Sequence, residues 1–434
     1  MSDAKKILPL ILAALLASCS SKKSLPEGKR ISVIDTPVLS AQNFDKAHFS
    51  LSEPQTLTVW TQVASNAQHL NQNMKMASET QKSWTADFGS GSSKRDLLLA
   101  APVVQNGVIY TQDVKGTVRA FDFQNGEPIF KQKLKSLNEN DSAAGLNGAG
   151  LALGAKNLYA VTGFGGVFAL NALTGEILWR QDLNTPIRTA PTFSNGILFV
   201  QTIDNRLLAF EASTGSELWR YNISAEDTVY AGGAAPAVDE TKQTIVNAFS
   251  NGELQAFNTK IGYSIWSHNL VNTQVAPSAI HALRASPVIE KGIVYAAGNN
   301  DQTIAANVET GEILWKMPVG GMSTPLVDKE ALFMVTTNHE LLALSKETGR
   351  IFWQTPLLDD MSLKDRLGVY VFSPLLINGK LLVATSNGWL LKFNPKTGQF
   401  LSEDFAGEDL AVQPIVVDTR LVLTSKSAKL IVFE

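Results

Sequence analysis

The chain carries one thiol, Cys19, so no disulfide can form within it. Its five histidines, His48, His69, His268, His281 and His339, are scattered, with no two at metal-ligand spacing, and predict no zinc site. No serine occupies a Gly-x-Ser-x-Gly elbow, the sharp turn that presents a nucleophile. The acidic pairs Asp359-Asp360 and Glu403-Asp404 read as solvated charges in loops. Two glycine-rich stretches, Gly145 to Gly150 and Gly163 to Gly166, precede strand-forming residues. Cradling a phosphate requires a following helix N-terminus, so these stretches predict tight turns. No catalytic residue, cofactor site or metal site is assigned. The net charge is −3, which gives no electrostatic case for nucleic acid or an anionic membrane surface.

The elements that would position a site are set by a repeat. Leu173-Thr174-Gly175-Glu176-Ile177-Leu178-Trp179-Arg180 returns as Ser213 to Arg220, and again as Gly311 to Lys316. Gly262 to Trp266 and Gly349 to Trp353 keep the Gly-to-Trp spacing, and Gly126 to Phe130 keeps it with another aromatic. The turn glycines Gly126, Gly175, Gly215, Gly262, Gly311, Gly349 and Gly398 are separated by 49, 40, 47, 49, 38 and 49 residues. A proline (Pro102, Pro191, Pro236, Pro287, Pro325, Pro374, Pro414) marks the start of most units, and Gly150 takes that place in one. Between markers run three short apolar segments, and a fourth follows the Thr-Gly turn. Asn-Gly pairs such as Asn106-Gly107, Asn195-Gly196 and Asn378-Gly379 suit two-residue hairpins.

Four antiparallel strands per unit of ~40–45 residues is the arithmetic of a β-propeller blade. Seven units are complete. The eighth runs from Gln413 to Phe433 and lacks its Trp strand, while Ser83 to Phe88, with Trp84, is a Trp strand without a blade. The expected fold is all-β, an eight-bladed propeller over residues 83–434 whose last blade is closed by the N-terminal strand. The repeated Trp179, Trp219, Trp266, Trp315 and Trp353 are expected to pack between blades. Trp389 lies outside their register, in a hairpin after Asn387-Gly388.

The N-terminus differs. Lys5-Lys6 precedes the apolar run Ile7 to Ala17, which is too short to span a bilayer and ends in small residues. Residues 1–18 therefore read as a secretory signal peptide. Residues 19–51 are polar and turn-rich, a flexible tether. Residues 52–82 are expected to be an extension packed on the propeller, with Leu57 to Trp60 as a strand capping the ring and His69 to Glu79 as a short helix. The string Leu16-Ala17-Ser18-Cys19 resembles a bacterial lipobox. That resemblance implies that Cys19 is acylated, palmitate included, as the first mature residue, and that Ser20 directs the protein to the outer membrane.

The Trp-containing unit also resembles the repeat of quinoprotein dehydrogenases, which hold pyrroloquinoline quinone and calcium in an eight-bladed ring. Those enzymes carry a disulfide of adjacent cysteines over the quinone, which a chain with one cysteine cannot form. Lipobox, tether and quinoprotein-like repeats together resemble the BamB family, the propeller lipoproteins of the outer-membrane β-barrel assembly machine. The resemblance implies a non-catalytic, periplasm-facing scaffold held in the outer membrane by its lipid. Its implied partners are the periplasmic domains of the central barrel-assembly subunit and nascent outer-membrane proteins. In that family two loops carry the partner contact. Their matching positions here are Tyr230 to Pro236, which keeps Gly232 but lacks the family's Arg and Glu, and His281 to Pro287, which lacks its Asp. Tyr230, Leu283 and Arg284 are the expected contacts, since aromatic and Arg side chains commonly anchor interfaces. A quinone-dependent dehydrogenase-like enzyme, or a propeller binding cell-wall or sugar ligands, are the alternatives.

Overall fold

The computed structural model describes residues 49–434 apart from 78–80, 137–147, 188, 225–231, 272–281, 300–301 and 359–367. The described residues form eight four-stranded antiparallel sheets. Blades 1 to 7 run Val103–Lys133, Gly148–Asp182, Thr192–Asn222, Ala237–Asn269, Val288–Met317, Leu326–Pro356 and Leu375–Phe405. Blade 8 joins three strands of Ile415–Phe433 to the N-terminal strand Lys82–Asp87. Trp84 pairs with Val432 and Ala86 with Leu430, so the chain closes the ring as its repeat count requires. In every blade the first strand is innermost and the fourth lies at the rim.

The turn between third and fourth strands follows from its residues. In blade 2 the Asn171 carboxamide accepts the N–H of Leu173 at 2.9 Å, and the Gly175 N–H returns to the Asn171 carbonyl at 2.8 Å. Asn258, Asn307 and Asn394 do the same in blades 4, 5 and 7. This Asx turn closes on a residue at positive φ, between 67° and 75° at the seven turn glycines.

Each of those glycines also meets an aromatic ring of the preceding blade. A Cβ on Gly126, Gly175, Gly215, Gly262, Gly311, Gly349 or Gly398 would stand 2.4–2.7 Å from Trp84, Phe130, Trp179, Trp219, Trp266, Trp315 or Trp353 respectively. The six indoles donate Nε1–H to a carbonyl of the next blade at 2.8–3.2 Å, that of Phe123, Ala212, Thr259, Val308, Lys346 or Pro395. The Gly and Trp of one phrase therefore do not meet each other. Each locks a different neighbour, and the two halves join consecutive blades. Trp219, Trp266, Trp315 and Trp353 are each 8% exposed, so the expectation of inter-blade packing holds.

Trp389 is a strand residue, the first of the third strand of blade 7, and is 37% exposed against Phe405. Glu403 and Asp404 likewise belong to the rim strand Phe400–Phe405, not to a loop, and Asp404 pairs with Lys392 at 2.7 Å. The Asp359-Asp360 pair lies outside the described residues.

The extension is a belt along the inner strands. An innermost strand leaves one edge of backbone groups unpaired, and buried groups must find partners. Trp60 exchanges two backbone bonds of 2.8 Å with Val104 of blade 1. Leu153, Val238 and Ile289 of blades 2, 4 and 5 donate to Thr61, Ala67 and Gln68 at 2.7–2.9 Å. The Gln62 carboxamide serves Phe193 of blade 3 in both directions. Ser52 binds Asp328 of blade 6, Met74 donates to Leu376 of blade 7, and Asp418 of blade 8 donates to Leu57. All eight blades are touched. The expected capping strand at Leu57 to Trp60 is thus one stretch of a longer belt. The expected helix from His69 is absent among the described residues, where Met74 and Met76 instead make bridges to Ile377 and Thr419. Backbone pairing to waiting strand edges outweighs the weak helical preference of a segment containing Asn71 and Asn73. The belt also begins inside the expected tether, since Phe49 is 4% exposed and stacks on Phe352.

Gly262→Ala is expected to lose about 1–2 kcal/mol from the left-handed backbone and about 1–3 kcal/mol more from overpacking on Trp219. Gly107→Ala, at a φ of 72° with open space around it, should lose only the backbone part. Equal losses in urea denaturation would show that the ring contact contributes nothing.

His69 supplies a second test. It is 1% exposed, its Nδ1–H donates to the Pro287 carbonyl at 2.9 Å, and Nε2 finds no partner among the described residues. Burial lowers its pKa to about 4, the Pro287 bond opposing. The folded value lies below the unfolded one, so the neutral ring's contribution is complete above about pH 6.5 and is lost as pH falls towards 4. Stability should fall by up to ~3 kcal/mol across that window, and His69→Asn should flatten the fall. An unchanged slope in the variant would contradict this assignment.

Candidate functional site

The ring has two unlike faces. One carries the hairpins between first and second strands, the Thr-Gly turns and the belt. The other carries the connectors between blades and the hairpins between second and third strands. Of the three expected partner contacts, Leu283 and Arg284 lie in the connector between blades 4 and 5, on this face. Tyr230 lies outside the described residues. Leu283 is 4% exposed and packs in the core shared by blades 4 and 5 beside Ala234, Val246 and Ile289, with its N–H donated to the Phe249 carbonyl at 3.2 Å. Its side chain is therefore mainly a packing group, with its small exposed part in the wall of a cleft on this face.

Arg284 turns the other way. Its guanidinium carbon lies 4.2 Å from the centre of the Tyr370 ring. Arg284 precedes the inner strand of blade 5 and Tyr370 that of blade 7, so the contact spans blade 6. The Tyr370 hydroxyl donates to the Met322 carbonyl, in the connector leading to blade 6, at 3.2 Å. Its N–H donates to Ser386 Oγ at 2.9 Å. Burial raises the Tyr370 hydroxyl above its ordinary range and the Arg284 charge partly opposes this. Both residues are half-buried, and a cation–π pair of this kind contributes about 1 kcal/mol. Among the described residues no carboxylate pairs with Arg284, and its guanidinium is held against an aromatic face. The sequence reading missed Tyr370 and Met322. Their signal was position: Tyr370 stands four residues before Pro374, close to the place of Arg284 before Pro287.

Beside this bridge the connector face has a small cleft of about 40 Å³, bounded by Thr189, Asn205, Gly232, Ala234, Ser250 and Leu283. Gln201 Oε1, in its lining, finds no partner among the described residues, but Asn205 is internally engaged. Asn205 accepts from Ser250 N and Oγ at 3.0 and 2.8 Å and donates to the Ser224 carbonyl at 2.9 Å. Gly232 and Gly233 keep this rim low, which leaves backbone accessible. The arrangement can offer shape, backbone groups and one fixed cation.

A quinone and calcium site needs converging carboxylate and amide ligands. Among the described residues no three His, Cys, Asp or Glu side chains converge on a common point. The single cysteine also cannot form the disulfide of adjacent cysteines that lies over the quinone in those enzymes.

Fold and repeat together define an eight-bladed propeller with quinoprotein-like repeats. A family model described as outer membrane protein assembly factor BamB matches residues 115–355, more than half of the chain. The chain belongs to that family. An outer membrane protein assembly factor BamB of Yersinia pestis is 27% identical over 359 residues, covering 81% of this chain and 88% of the relative. The crystal structure of BamB from Moraxella catarrhalis superposes with a TM-score of 0.66 at 16% identity, covering 82% of this chain and 98% of that one. Quinohemoprotein alcohol dehydrogenase from Comamonas testosteroni gives a TM-score of 0.66 at 13% identity, with coverages of 87% and 80%. These two structural likenesses show the shared ring.

Proposed function

We propose that this chain is a non-catalytic scaffold lipoprotein that assists the assembly of outer-membrane β-barrel proteins. The observation that carries the reading is the family match across the central blades of the closed ring. Cys19 bears the lipid, residues 1–18 are removed, and the ring faces the periplasm from the outer membrane. The connector face at blades 3 to 5 docks the periplasmic domains of the central barrel-assembly subunit. There the Arg284 guanidinium, fixed over Tyr370, and the segment containing Tyr230 supply the contacts, and Leu283 holds the connector that carries Arg284. Nascent outer-membrane proteins are the clients.

This division of labour is physical. A ring with seven of its eight seams locked and its inner edges paired changes shape little, so its loops are presented at low entropic cost. A cation seated on an aromatic ring, with no carboxylate partner among the described residues, is suited to an acidic group of the partner, since part of its desolvation has already occurred.

In gently solubilised membranes the protein should co-purify with the barrel-assembly subunit. Arg284→Ala should lower that retention at least ~tenfold, as loss of an interface anchor of about 2 kcal/mol implies, without shifting the melting temperature by more than a few degrees. Retention equal to that of the unaltered protein would remove Arg284 from the interface. Cys19→Ala should move the protein from the membrane fraction to the soluble periplasmic fraction. Continued membrane association of that variant after a salt wash would defeat the anchor assignment.

A further inference from the structure

Seven seams of the ring are closed by an aromatic ring against a turn glycine. The eighth, between blades 7 and 8, is built differently. The register shows what is missing. Ala169, Ala209, Ala256, Ala305 and Ala343 stand opposite the Trp of their blades, and the pair at this place in blade 7 is Lys392 with Ser402. On the facing side, strands of blade 8 that a Thr-Gly turn would join come from separate parts of the chain, so no turn glycine is offered. Neither half of the lock is present.

The space it would fill remains. A cavity of about 330 Å³ lies in this seam, floored by Ile377 and Leu390 of blade 7, Leu421 and Phe433 of blade 8 and Met76 of the belt, with Phe405 at its edge. The volume is at the lower end of ligand pockets. Lys392 and Asp404 of the lining are paired with each other, and Lys380 and Asn378 are exposed, which leaves a largely apolar floor. The rim strand beside it, Phe400–Phe405, is exposed at all six positions, whereas the rim strands of blades 3 to 6 each bury their Trp. Phe405 is 56% exposed and touches Trp389, ring centres 5.2 Å apart. Exposed Ile and Leu occur on rim strands all around the ring, for example Leu178 and Leu314. Exposure alone therefore does not single out blade 7. The empty seat does.

We propose that the seam between blades 7 and 8 binds an aromatic side chain of an extended polypeptide segment, whose ring takes the seat that Trp fills at other seams. The occupant's shape is argued from those seams, where the same kind of space between the same strands accepts an indole. The segment's backbone lies along the free edge of Phe400–Phe405 and pairs with it as an added strand. The assembly reading above supplies the source of such segments, since unfolded β-barrel clients present alternating side chains. The seat itself does not depend on it.

The test uses a fluorescein-labelled peptide of alternating Thr and Ser with one central Trp, and the same peptide with Ala in that place. The full-length protein should bind the Trp peptide at least ~tenfold more tightly, as burial of one ring implies. Ser402→Trp should fill the seat from within, raise the melting temperature and abolish the preference. Phe405→Ala changes an exposed residue, so it should fold normally and weaken the preference severalfold; it decides the matter if Ser402→Trp does not fold. Equal binding of the two peptides, or a preference unchanged by Phe405→Ala, overturns the proposal. Retention by the barrel-assembly subunit is measured in parallel. Lost preference with normal retention places the seat apart from the docking face. An unaltered protein that prefers the Trp peptide but is never retained keeps the seat and defeats the assembly reading.

Discussion

The ring depends on one contact repeated around it, the face of an aromatic side chain against a glycine of the next blade. The contact solves two problems together. A Thr-Gly turn at positive φ needs a residue without a Cβ, and the missing Cβ lets an indole approach the backbone closely enough to donate its N–H to the carbonyl at the start of that turn. Turn geometry and inter-blade packing are thus one requirement. Substitution at either partner is felt on both sides of a seam. The same economy explains why the phrase recurs almost letter for letter: its Gly answers to the blade before and its Trp to the blade after.

The second constraint is the inner edge. Eight first strands leave a circle of unpaired backbone groups, and closing the ring at its rim does nothing for them. The belt of residues 49–77 satisfies them with backbone groups at most blades and with the Gln62 carboxamide at blade 3, while at blade 6 Ser52 binds the Asp328 side chain. His69 is the cost of that route, a histidine sealed in as the neutral form. With both edges managed, the ring becomes a rigid frame. Chemical freedom is left to the connectors and to the seam where the lock is missing.

Much of this was legible in the residues. Seven turn glycines and an orphan Trp strand at Trp84 set the blade count and the closure, because a period of this kind can be satisfied only by stacked equivalent units. The belt was not legible. Its residues follow the spacing of strand edges contributed by eight distant segments, so they carry no period of their own, and His69 to Glu79 could be taken for a helix. Glu403 and Asp404 were misplaced for a related reason. Their strand lacks the aromatic that marks the others, and Ser402, four residues after Gly398, is where the pattern lapses. The neighbours Leu283 and Arg284 show the limit at single-residue scale. One faces the core and the other crosses to Tyr370, a divergence set by blade 7 and invisible in the local string.

A family membership assigns the broad task, and the geometry divides it among surfaces: a belt face occupied by the chain itself, a connector face bearing a fixed cation, and a rim with one open seam. The central claim is that the connector face docks the assembly partner. Site-specific photo-crosslinking in intact cells tests it most directly, with the reactive residue placed at Gly233 on the connector face or at Lys291 and Lys329 on the belt face. Adducts with the central barrel-assembly subunit are expected from position 233 and none from 291 or 329. Adducts from the belt-face positions alone would contradict it.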